Sequence, residues 1–265
     1  MKVPYFELLN PIGFMVDGIG RVHSPKLRTI CERGYKNYQY ALTLLLMTPH
    51  DFFAGIAAAL HEEKNPYDEL PQEQKDALHI FDLLTADEQT QGEIVTALGF
   101  FIDGTITFEP SHRCFLVNAV QDETGALAVD GMINAENWTL VCDVCLQCAY
   151  LDPPKDKQAH KYRDEKTRKK FEEFYRKKAE YEKNKRGGKK ADPDYELANI
   201  ISALATYHDS LNMANIWNLT VYQVHDTFNR QRMKQQIDIT DFNYSVWGGK
   251  DHQADLWFKK TDLIT

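Results

Sequence analysis

Between Ser210 and Met233 the chain sets Ile216, Trp217, Leu219, Val221, Tyr222, Val224, Phe228 and Met233 among short polar residues. So many large apolar side chains need a surface to lie against. From Thr220 onward Val221, Val224, Phe228 and Met233 recur at helical spacing, and Thr220 is placed to cap the helix they define. Asn229, Arg230, Gln231 and Arg232 read as its solvated basic end, which suits the negative pole of a helix. The stretch is expected to dock and to lock the C-terminal half together. It carries no set of residues that declares a chemistry.

The 265 residues suffice for one large domain or two smaller ones, and 43% hydrophobic with 26% charged residues is ordinary for a soluble globular protein. Charge is uneven. Residues 155–190 hold 16 Lys and Arg against 7 Asp and Glu, a local +9 that leaves −17 on the remainder of a chain of net charge −8. Five cysteines, an odd number, and a start, Met1–Glu7, without the apolar run of a secretory leader predict reduced thiols in a cytoplasm. The apolar run Ala41–Met47 is too short to span a bilayer.

Along the chain the signals are mostly helical. Ile12–Val16 and Ile19–Val22 flank Asp17-Gly18, which suits a type I′ hairpin turn. Gly18 and Gly20 lack the remaining features of a phosphate loop. Ser24-Pro25 reads as a cap followed by proline in the first turn. The apolar positions from Leu27 through Ile30, Cys31, Tyr38 and Leu42 to Leu45 predict one helix of six turns, with Cys31 buried on it. Thr48-Pro49 opens a helix over about 49–61, with Phe52, Phe53, Ile56, Ala57 and Leu60 as its face. His50-Asp51 and His61-Glu62 are expected to be solvated helix ends. A helix from Pro71 carries Leu78, Phe81 and Leu84, and Thr85 to Glu88 reads as a capping box for one that holds Ile94, Val95, Leu98 and Phe101. Thr105–Phe108 and Cys114–Val117, with a third short strand from Ala126–Val129 and Gly131–Ile133, predict a small antiparallel sheet.

Asn134 is placed to cap a helix to Tyr150 that carries Cys142, Cys145 and Cys148. Three thiols at steps of three could bind a metal with a fourth ligand such as Cys114 or His160. They equally form a buried stripe of small hydrophobes, and packing is the expected reading because no fourth cysteine follows. Lys155–Lys190 predicts a long charged helix with acid-first pairs such as Glu165 and Lys169, and a thin aromatic seam of Phe171, Phe174, Tyr175 and Tyr181. Its interleaved Glu residues cancel much of the basic field, so nucleic acid is disfavoured and a protein partner on the seam is expected. Asp192-Pro193 starts a helix with Leu197, Ile200, Ile201, Leu204 and Tyr207 on one face.

The last part resembles tail-assembly proteins of tailed bacteriophages. The residues that carry the resemblance are Ile200–Leu204, Ser210–Asn212, Ile216–Gln223, Phe228–Arg230, Val246–Gly249 and Trp257–Lys259. Ser24–Arg28 and the Lys/Glu-rich segment resemble the same proteins. The resemblance implies a non-enzymatic role in tail morphogenesis by binding other phage tail proteins, as an assembly chaperone or as a tail or baseplate component, in the host cytoplasm or the virion. It brings no catalytic residue and no cofactor, and no membrane contact is expected.

The sequence therefore predicts a mostly α-helical α+β protein with small antiparallel sheets. A mixed domain over 1–150 would be followed by a basic helical arm over 151–191 and a C-terminal helical unit over 192–265 that packs back on the first. Self-association stays open. Phe171, Phe174, Tyr175, Tyr181, Trp247 and Trp257 are the candidate partner-binding residues, and a metal-binding regulator or enzyme built on the three cysteines is the alternative.

Overall fold

The computed structural model describes residues 1–62, 64–121, 127–151 and 196–248. The chain divides into two compact units, one of Met1–Pro153 with Ala214–Thr265 and one of Pro154–Met213. The architecture is α+β and predominantly helical.

The first unit opens with the short helix α1 (Tyr5–Leu9) and the hairpin β1 (Phe14–Val16) and β2 (Gly20–Val22). Val16 pairs with Gly20, so the loop has three residues rather than the two of a type I′ turn. Gly18 alone inside it has positive φ, 73°, with Ile19 N–H on the Val16 carbonyl at 3.0 Å. That is the arrangement of a type II turn, which asks for glycine at its third position.

The expected six-turn helix is two. Helix α2 (Leu27–Arg33) stops at Gly34, where φ 95° and ψ 128° are open to glycine and strained for other residues, and α3 (Tyr35–Leu46) starts afresh. The change of axis leaves Cys31 exposed rather than buried. Helix α4 (Pro49–Ala59) follows with the Thr48/Asp51 capping box, but of its expected face only Ala57 is buried. Two short helices, α5 (Pro66–Glu69) and α6 (Gln72–Ala77), lead to α7 (Ile80–Leu84). Extended backbone at Leu78 and His79 splits the helix expected there. Helix α8 (Glu88–Leu98) is capped by Asp87, which accepts from Thr90 N–H at 2.9 Å, so the cap falls two residues beyond Thr85.

Strands β3 (Ile106–Glu109), β4 (Cys114–Val117) and β7 (Gly131–Ile133) form the expected antiparallel sheet in the order β3-β4-β7, and β5 (Val120–Gln121) pairs with β6 (Leu127–Ala128). Helix α9 (Trp138–Cys148) has Asn137, not Asn134, at its N-cap. The Asn134 side chain instead accepts from Glu136 N–H at 3.0 Å. The core forms where α3 meets α8 and α9. Phe81 lies edge-on to Phe115 at 5.9 Å and against Trp138 at 5.5 Å, and Tyr38 packs on Phe100 and Phe101. Phe100 and Phe101 lie beyond the end of α8. His23 N–H reaches the Phe101 carbonyl at 2.8 Å and so ties that run to the hairpin.

The second unit contributes α10 (Leu197–Tyr207), with Leu197, Ile200, Ile201 and Leu204 buried at steps of three and four and Tyr207 exposed. Back in the first unit, the 3-10 turn Ile216–Asn218 leads into α11 (Val221–Trp247), 27 residues long. The helix does not end at Asn229–Arg232; it runs four turns further. The charged helix expected over 155–190 lies outside the described residues.

Candidate partner-binding surface

Helix α11 is held at its start by bonds that satisfy each of its early backbone donors. Thr220 and Gln223 make a reciprocal capping box. Val221 N–H donates to the Pro25 carbonyl at 2.8 Å, and Leu27 N–H returns a bond to the Leu219 carbonyl at 3.0 Å. Tyr222 N–H donates to Ser24 Oγ at 3.1 Å, while that hydroxyl donates to the Cys148 carbonyl at 2.7 Å. Ser24 is therefore no cap for α2, whose N-cap is Lys26. It is 2% exposed and joins the end of α9 to the start of α11. Helix ends leave such groups unpaired unless side chains or other backbone supply partners. The docking expected of the Ser210–Met233 stretch is realised here from Ile216 to Val224.

One turn further on, a polar and aromatic knot fastens the helix. Tyr5 donates its hydroxyl to Asp226 Oδ1 at 2.9 Å, and Arg230 Nη2 donates to the same Tyr5 oxygen at 3.3 Å. Asn229 Nδ2 donates to the Tyr150 hydroxyl at 2.8 Å. The Tyr150 ring stacks on His225 at 5.1 Å and 12° and touches Tyr222 at 5.0 Å. Burial lowers the His225 pKa to about 4, so the ring is a neutral packing surface. Tyr150 has φ 62°, at the position after the end of α9 where a helix usually places glycine. Leu151 N–H to the Leu146 carbonyl at 2.9 Å and Tyr150 N–H to the Gln147 carbonyl at 3.0 Å complete that terminating motif. A left-handed tyrosine costs about 1–2 kcal/mol, and its contacts with α11 offset that cost.

Past this anchor the helix opens to solvent, and residues 242–248 are all exposed. Phe228, Arg232, Gln235, Ile239, Phe242 and Val246 follow steps of four and three, so they lie on one line of the helix. Its distal part is apolar and uncovered: Ile239 is 56% exposed, Phe242 68% and Val246 52%, with Trp247 beside it at 83%. By side-chain size these four present on the order of 500 Å² of apolar surface, at the upper end for a monomer's largest apolar patch. The 4-3 spacing sets branched Ile239 and Val246 with Phe242 between them along one stripe of the helix.

Of the candidate residues, Trp247 sits on this surface. Phe171, Phe174, Tyr175, Tyr181 and Trp257 lie outside the described residues. Ile239, Phe242 and Val246 escaped the sequence reading because Arg232 and Gln235 interrupt the apolar series. The 4-3 count carried on from Phe228 is the signal that finds them.

The three cysteines of α9 are buried. Burial holds the Cys142 and Cys145 thiols far above their usual range, and Cys148 is pushed up to about 12. They are thiols packed in the buried face of the helix. Among the described residues no three His, Cys, Asp or Glu side chains are grouped to hold an ion. His160, the distant ligand considered above, lies outside them. No single described helix is long and apolar enough to cross a membrane.

The described surface thus holds a long helix, fastened at one end and apolar along its exposed distal face. Residues 187–262 match the family model described as the YomV second domain, a phage-derived family. The match covers well under half of the chain and contains all of α11. Over those residues the chain is similar to a phage protein domain, which supports a phage origin. Neither a curated protein nor a solved structure matches the chain.

Proposed function

We propose that this is a non-enzymatic phage protein that acts in tail morphogenesis, as a tail-assembly chaperone that binds other tail proteins through helix-to-helix contact. The carrying observation is the exposed seam of Ile239, Phe242 and Val246 with Trp247 at its end. An apolar stripe on a rigid support is what an amphipathic helix of a client covers, and aromatic anchors such as Phe242 and Trp247 supply most of the affinity in such contacts. The phage-family match over the same helix agrees with this reading. Work in the host cytoplasm, before the client polymerises, belongs to it.

The test is co-expression of the full chain with each tail protein of its phage, wild type against Phe242→Asp and Trp247→Ala. Copurification of one tail protein with the wild type, lost in both variants while circular dichroism is unchanged, supports the proposal. Retention of the tail protein by both variants refutes a role for the seam. The same seam would serve a permanent tail or baseplate component, and the composition of mature virions separates the two: a chaperone is missing from the finished particle.

A further inference from the structure

A second surface, remote in sequence from the α11 seam, has its own chemistry. Between α3 and α8 lies an open groove of about 410 Å³ lined by Asn37, Tyr40, Gln89, Gly92, Glu93 and Thr96. Glu93 is its one charged group. Among the described residues the hydrogen-bond partners of that carboxylate are neutral: Tyr40 donates its hydroxyl to Oε2, and Gln89 Nε2 donates to Oε1 at 3.1 Å. The bond to Glu93 pushes the Tyr40 pKa up to about 12, so the phenol keeps its proton and acts as the donor.

The donors of the groove are turned inward in the same way. Thr96 gives its hydroxyl proton to the Gly92 carbonyl at 3.0 Å, and Asn37 Nδ2 donates to the Arg33 carbonyl at 2.7 Å. What remains for a visitor is the oxygen side of each group: phenol, hydroxyl, two amide carbonyls and a carboxylate with lone pairs to spare. Acceptors outnumber the N–H groups left over, and the net charge is negative. Such a lining rejects an anion and a second acceptor. It fits a cation that is all donor. Tyr40, 47% exposed, adds a ring face of the kind that attracts such a cation. Gly92 keeps the floor low: a Cβ there would meet no atom within 4 Å, so the space above it is open.

We propose that the α3–α8 groove binds the guanidinium or ammonium group of a basic side chain, an arginine or lysine of a partner polypeptide, with Glu93 as its counter-charge. Nothing in this depends on the α11 seam, so either surface can fail its test alone.

The experiment follows backbone amide resonances of the full chain while N-acetyl-argininamide, N-acetyl-lysinamide or the neutral N-acetyl-citrullinamide is added. Saturating shifts confined to α3 and α8, with Kd on the order of 1 mM for the cationic probes and weakening at least ~10-fold for the neutral one, are expected. Glu93→Gln should weaken the cationic probes by roughly 10-fold or more. Gly92→Leu places a side chain in open space and removes a helix glycine, so the fold is retained while the groove is filled and the shifts vanish. Equal response to the citrulline probe, no saturation with any probe, or full binding by Gly92→Leu overturns the proposal.

Discussion

Ser24→Ala removes a single oxygen from a side chain that is 2% exposed. That oxygen accepts from Tyr222 N–H at 3.1 Å and gives its proton to the Cys148 carbonyl at 2.7 Å. Alanine therefore breaks two bonds and leaves a donor and an acceptor buried. A hydrogen bond is worth about 1 kcal/mol net, and a stranded buried group costs about 1–3 kcal/mol. Leu151 N–H, now on the Leu146 carbonyl, could reach the freed Cys148 carbonyl only if the terminating turn shifts, so we take the middle of the range, about 2–4 kcal/mol. In a chain of this size that lowers the Tm by roughly 4–15 °C. Urea unfolding followed by circular dichroism measures the loss, and amide exchange at Tyr222 locates it. If opening at α11 limits exchange, 2 kcal/mol speeds that amide by roughly 30-fold. Ser111→Ala, at the exposed tip of the β3–β4 hairpin, serves as the control and should change stability by less than about 0.5 kcal/mol. A Ser24→Ala protein as stable as this control would refute the claim that the hydroxyl joins α9 to α11.

Further outcomes follow from the same contacts. Gly34→Ala should cost about 1–3 kcal/mol in urea unfolding, because the break between α2 and α3 sits at φ 95°. His225 has a folded pKa lowered to about 4 against an ordinary 6.5. The unfolded chain therefore binds the extra proton between those values, and stability should fall as pH drops from about 6.5 to about 4, by up to ~1.4 kcal/mol per pH unit. Above that window the group contributes no slope. His225→Gln should flatten the dependence in part, since burial lowers the His23 pKa in the same direction. A thiol reagent should label Cys31 quickly in the native protein and reach Cys114, Cys142, Cys145 and Cys148 only on unfolding, read by mass spectrometry of the labelled peptides. Fast native labelling within α9 would contradict its packing.

Much of this fold was legible where one local signal dominates. Thr48-Pro49 and Thr220 cap helices as their side chains require, and the pairing of β3 with β4 follows from two apolar runs about a polar turn. The failures share a cause: a residue suited to one local role was taken by a tertiary one. Ser24 has the chemistry of a cap but serves a carbonyl and an amide far away in the chain. Tyr150 occupies a position glycine would take because its ring is needed against His225 and Tyr222. Gly34 fits a helical period numerically and breaks the helix by its own backbone. In the candidate surface Trp247 was named as a partner-binding candidate, but its exposure was not legible, since an isolated tryptophan in a sequence is more often buried. Nor was the seam beside it, because polar Arg232 and Gln235 belong to the same line and hide where the apolar part resumes.

The central claim is that α11 offers its distal face to another polypeptide. Hydrogen–deuterium exchange on the full chain, alone and with any tail protein that the co-expression test recovers with it, tests this most directly. The account predicts that protection gained on binding centres on residues 239–247. Protection that leaves those residues untouched and falls elsewhere would contradict it.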